Sequence, residues 1–129
     1  MDNFRIGRIS SIDFERGMVQ VLYNDRSGSV TKSIPVLNFN GEYKMPAVDD
    51  MVLVLHMSNG TAMGIVMGSF WNDKNRPAES GEGLYRKELG KEQGEAFIRY
   101  DSDTKTITIK ADAAVNIVTE NGTYVLGGE

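Results

Sequence analysis

The sequence predicts an all-β chain: a small N-terminal barrel of five strands, then a polar stretch, then a short β-structured tail. Three observations carry this. Short apolar runs punctuated by Gly, Asn and Asp fill the first seventy residues, with little helical periodicity. Apolar and polar residues alternate from Thr106 to Thr119, the signature of extended chain with one buried face. Between them, residues 72–94 are charged and glycine-rich, which reads as a linker or extended arm.

The first strand is read over Phe4 to Asp13. Phe4, Ile6, Arg8, Ser10 and Ile12 share one face and Gly7 lies on the other; a glycine inside a strand marks a bend or bulge. Glu15-Arg16-Gly17 turns the chain into a second strand, Met18 to Tyr23. A polar loop, Asn24 to Ser29, leads to a third, Val30 to Leu37. Pro35 has no N–H to give a ladder, so this strand belongs at an edge or carries a bulge. Asn40-Gly41 is a turn signal, and the connector to Asp50 is irregular, with at most a short helix. Met51 to Met57 is almost wholly apolar, as in a strand covered on both sides. Asn59-Gly60 fits a type I′ hairpin turn into a fifth strand, Ala62 to Phe70. Five strands without a long helix suit the five-stranded Greek-key barrel, the OB-fold.

The tail poses a different problem. After a strand beginning at Phe97 and a turn at 101–105, Ile107, Ile109, Ala111, Ala113, Val115 and Ile117 form one apolar row. A lone strip of this size is marginal in water, and no nearby helix could cover it. Other copies of the chain are the simplest cover, so the six residues are the predicted core of an intertwined oligomer. The domain boundaries that follow are 1–75 for the barrel, 76–93 for the linker and 94–129 for the β-structured tail.

Composition narrows the function. Fourteen Lys and Arg against eighteen Asp and Glu give a net charge of −4, the wrong sign for a phosphate track. With no cysteine, disulfides and cysteine-based zinc sites are excluded. The opening MDNFRIGRIS lacks the apolar core of a signal peptide. No apolar run nears the ~18 residues of a membrane helix. The chain is expected to be made in the cytoplasm and to leave it by lysis or inside a larger assembly.

The order of several segments resembles the baseplate assembly protein V, or spike, family of contractile phage tails and tail-like particles, which is related to the type VI secretion spike. The segments are RIGRISSID with GMVQVLY, then SIPVL, MPAVDDMVLVLHM and AMGIVMGSFWND. The third is similar to the family's Pro-x-x-Gly-Asp-x-Val and the last to its Gly-x-Val-x-Gly-x-x-Tyr-Asn, with departures at Asp49 and Trp71. FIRYDSDTKTITIKADAAVNI is similar to the start of the family's trimeric β-helix. The resemblance implies an OB-fold collar of three copies carrying a short intertwined β-helix. It implies a homotrimer that binds baseplate hub or tail-tube proteins, meets the target cell envelope transiently, and resides in the virion or tail-like particle at its distal tip. The family's His-x-His iron tip has no counterpart, because His56 is the sole histidine. Either the needle is blunt or a separate tip-cap protein completes it.

Candidate sites weigh toward structure. His56 alternates with Val52 and Val54, so it reads as a barrel-face residue bonded to backbone, with no catalytic partner legible. Asp49 and Asp50, as neighbours on a strand, point to opposite faces. Asp101, Asp103 and Asp112 lack the glycine and distal glutamate of an EF-hand loop. Met45, Met51, Met57, Met63 and Met67 read as core filling. Arg5, Arg8, Arg26 and Lys32 read as solvated barrel surface. Phe70, Trp71, Leu84 and Tyr85 flank or dock the linker and are candidate interface anchors. No phosphate loop or nucleophile elbow occurs, so no catalytic, cofactor or metal residue is predicted. The expected role is mechanical: plugging the tail tube and piercing the envelope on contraction. The alternative is an OB-fold nucleic-acid-binding module with a β-structured oligomerisation tail, which would need stacking aromatics beside a basic groove.

Overall fold

A computed structural model describes residues 3–24, 28–57 and 63–128. The Asn59-Gly60 turn and Arg26 lie outside the described residues. The chain is all-β. Its described residues form strands and one three-residue 3-10 turn, Phe39–Gly41, in which the Asn38 side chain accepts from Gly41 N–H at 3.2 Å. The chain divides into two units, Met1–Arg76 and Pro77–Glu129.

The first unit is one curled sheet. β1 (Phe4–Asp13) lies between β2 (Met18–Tyr23) and β5 (Met51–His56). β3 (Ser29–Val30) and β4 (Ile34–Pro35) both pair with β2, and β6 (Gly64–Ser69) pairs with β5. Val36 bridges Val66, and Leu37 N–H donates to the Val66 carbonyl at 2.9 Å, which ties the far edge back to the start. Ile9, Val19, Val21, Tyr23, Ile34, Val52, Val54 and Val66 fill the interior. β-Branched side chains dominate it, as the pleated inner face of a small sheet favours.

Two bulges set which residues face inward. Ser10 is extra against β2, where the register passes from Ile9↔Val21 to Ser11↔Gln20. Met67 is extra against β5. Each bulge adds a residue and shifts the alternation by one. Ile12, expected beside Phe4 and Ile6, therefore turns inward and packs on the core. Gly7 is not the bend. It lies on a buried stretch of β1, where an added Cβ would sit 2.5 Å from Val21 Cγ1 and 2.8 Å from the Tyr23 ring. Its role is close approach.

The expected third strand, Val30 to Leu37, is two short pieces. Between them Thr31 is buried; its Oγ1 accepts from Val21 N–H at 3.0 Å and donates to the Lys32 carbonyl. The hydroxyl stands in for ladder bonds there. Pro35 lies in a two-residue strand, where its missing N–H costs little. Met51–His56 is covered on one side only: Val52, Val54 and His56 are buried, while Met51, Leu53 and Leu55 are half-exposed.

The second unit holds two separate sheets. β7 (Leu84–Glu88), β8 (Phe97–Asp101) and β9 (Thr106–Lys110) form an antiparallel meander. β10 (Ala114–Thr119) and β11 (Gly122–Gly127) form a hairpin. β7 falls inside the stretch assigned to a linker at 76–93. It was hidden because LYRKE carries charges, not aliphatics, on its recurring face. The continuous strip expected from Thr106 onward breaks at Ala111–Ala113, so β9 and β10 belong to different sheets.

Candidate assembly surface

The meander has two unlike faces. Registered pairing places Leu84, Arg86 and Glu88 with Asp101, Arg99 and Phe97 on one side. Thr106, Thr108 and Lys110 extend that side along β9. Tyr85, Tyr100 and Ile107 form a row on the other side, with Lys87, Ile98 and Ile109 beside it.

The charged face is covered by its own chain. The Glu79 carboxylate takes Arg99 Nε at 2.7 Å and Arg99 Nη2 at 2.9 Å, and Arg86 Nη1 at 2.8 Å. Arg86 also donates to Glu88, and its guanidinium lies 3.8 Å over the Phe97 ring. Gly94 N–H donates to Glu88 Oε1 at 2.7 Å, and Lys110 Nζ to the Gly94 carbonyl at 2.6 Å, which draws the β7–β8 loop onto the same side. Charge-assisted, bidentate bonds of this kind are the strong ones.

The Arg99 guanidinium first, then that of Arg86, holds the Glu79 carboxyl at about 2 against its ordinary 4.5. A depressed carboxyl stabilises the fold above its unfolded value and ceases to do so as pH falls through the folded one. Acid titration of the full chain from pH 4.5 to 2 should therefore weaken this unit. Glu79→Gln should be less stable at neutral pH and lose less across that window, read by circular dichroism melts at each pH. An unchanged acid slope in Glu79→Gln would remove Glu79 from the network's titration.

The exposures of the two faces are inverted. The Arg86 side chain is 16% exposed and Arg99 22%, whereas Ile107 is 70% and Ile109 54% exposed. The hairpin has no shielded charged face, but it too leaves apolar side chains bare. Val115 pairs with Leu126 and Ile117 with Tyr124 on one face, and Ile117, Tyr124 and Leu126 are all more than half exposed. Among the described residues of this unit none is buried. Among the described residues, β7, β9, β10 and β11 each have one edge without a partner strand.

The predicted trimer-core residues are thus placed in three settings. Ile107 and Ile109 share a face of β9, Val115 and Ile117 share a face of β10, and Ala111 and Ala113 sit in the segment between. Of the candidate anchors, Leu84 and Tyr85 are on opposite faces, so they cannot serve one contact. Trp71 is 65% exposed; Phe70 is half-buried, and its carbonyl accepts from Asn72 and Asn75 side chains. Phe70 borders a shallow apolar trough on the outside of the first unit with Ile6, Leu53 and Met67. The Glu79 network escaped the sequence reading. Its one signal was the charge on alternate positions, Arg86 with Glu88 and Arg99 with Asp101.

Inside the first unit, Tyr23 Oη and His56 Nε2 are 2.6 Å apart, and the Arg5 guanidinium lies 3.8 Å over the Tyr23 ring. His56 is thus buried against the Tyr23 side chain, and among the described residues its Nδ1 has no hydrogen-bond partner. Asp101 Oδ1 accepts from Asp103 N–H at 2.9 Å, a turn-capping use of that carboxylate. Asp50 Oδ2 similarly accepts from Ala47 N–H. Asp49 has a left-handed backbone, φ 74, a conformation glycine adopts freely.

The class these features define is an all-β protein with one self-contained unit and one unit whose apolar faces are bare. Neither a protein-family model nor a curated protein matches the chain.

Proposed function

We propose that the chain is the central spike of a contractile phage tail or tail-like particle, a structural protein that acts as a homotrimer. Residues of the first unit form an OB-fold collar that seats on the baseplate hub or tail tube. The second unit, wound with two other copies into a short β-helix, plugs the tube and meets the target envelope when the sheath contracts. The observation that carries this reading is the inverted exposure of the β7–β9 meander, where Arg86, Arg99 and Glu79 are shielded while Ile107 and Ile109 are bare. A chain in water gains ~25 cal/mol for each Å² of apolar surface covered, and here that gain requires further chains. Intertwined strands also satisfy open backbone edges and separate only when all chains come apart, which suits a part that bears force. The left-handed Asp49 stands where the family's segment has glycine, which supports the alignment.

Light scattering of the purified full chain tests the reading. The expected mass is three times the 14.3 kDa of one chain, with no binding to single-stranded DNA at low salt. A stable monomer at high dilution would end the proposal. DNA binding would favour the nucleic-acid-binding alternative.

A further inference from the structure

The trimer reading puts a contact in the tail, and the structure shows that the apolar row at Ile107 and Ile109 continues across Tyr100 and Ile98 to Tyr85. We infer that the face carrying Tyr85, Ile98, Tyr100, Ile107 and Ile109 is where a second copy of this chain docks, so that the interface begins at Tyr85, inside the stretch the sequence assigns to a linker. This rests on the homo-oligomer reading and specifies its surface.

Three facts select the face and the occupant. First, the opposite side of the same three strands is taken: Glu79 and the 89–96 loop are bonded across it. Docking there would have to break charge-assisted bonds already made. Second, the face offers little for a charged guest. Its one cation among the paired positions, Lys87, is engaged within its own copy. The complement is therefore another apolar β-surface. Third, the area is telling. Aromatic side chains bury about 150–250 Å² each, so two half-exposed tyrosines and three isoleucines present on the order of 400 Å². A stable interface takes about 800 Å² per partner. The hairpin face of Val115, Ile117, Tyr124 and Leu126 supplies a comparable amount. An occupant must cover both faces to reach that size. A second copy carries both, in equal number and of the same chemistry.

The absence of cysteine makes the test clean. Tyr100→Cys and Thr108→Cys place one thiol each on the apolar and on the charged face of the full chain. Each variant is treated with a short bis-maleimide and run on a denaturing gel, with its mass in solution measured beforehand. Tyr100→Cys should give covalent dimers at least tenfold more abundantly than Thr108→Cys. Tyr85→Cys, on the edge strand of the same face, repeats the measurement if Tyr100→Cys folds poorly. Equal cross-linking, none at 85 and 100, or more at 108 overturns the assigned face. An oligomeric mass accompanying any of these leaves the assembly reading standing; a monomeric mass ends both.

Discussion

Ile109→Asp and Ile117→Asp should each leave the chain monomeric. Both side chains are more than half exposed in one copy, so the substitution costs an isolated chain little. In a trimer the same position brings three carboxylates into a dry contact. Transfer of an unpaired charge from water to such a site is so costly that the group instead takes up a proton or the contact fails. Light scattering should fall from three chain masses to one. The first unit should still melt cooperatively, because the buried apolar side chains among the described residues all lie between Ile9 and Val66. Asn116→Asp provides the contrast. Asn116 pairs with Val125 on the other face of the hairpin, where an added charge stays in water. If Ile109→Asp and Ile117→Asp assemble with wild-type heat resistance, those residues do not face the contact.

A chain ending at Arg76 should fold alone and remain monomeric. The boundary falls between Arg76 and Pro77, and the eight apolar side chains buried among the described residues all precede it. The Val36–Val66 bridge closes the sheet without help from the second unit. A domain of this length buries only about 60% of its unfolded surface and is marginal but sufficient. The complementary piece, residues 77–129, should stay unfolded at dilution, since none of its described residues is buried. Circular dichroism melts of the two pieces decide the matter. A cooperative, monomeric 77–129 would falsify the view that its apolar faces require other copies.

Much of the strand content was legible in order. β2, β5, β8 and the β10–β11 reversal follow from β-branched runs bounded by Gly, Asn and Asp. The chain turns polar and glycine-rich from Asn72 onward, and the structure divides at Arg76–Pro77. β7 was not legible, because its pattern is carried by Arg86 and Glu88. Alternating charges signal a strand only once the opposing Arg99, Asp101 and Glu79 are in place.

The sequence by itself determined that this chain is extended, where it turns, and that its tail carries more aliphatic surface than its own residues can shelter. Those are local properties, set by side-chain type and a period of two. The tertiary structure decided which way each row points. One extra residue at Ser10 swings Ile12 into the core, and the break at Ala111–Ala113 sends Ile109 and Val115 to different sheets. It also decided which side of the meander is sealed, through a carboxylate seven residues from one arginine and twenty from the other. Alternation defines two faces, but only pairing and register determine what lies against each.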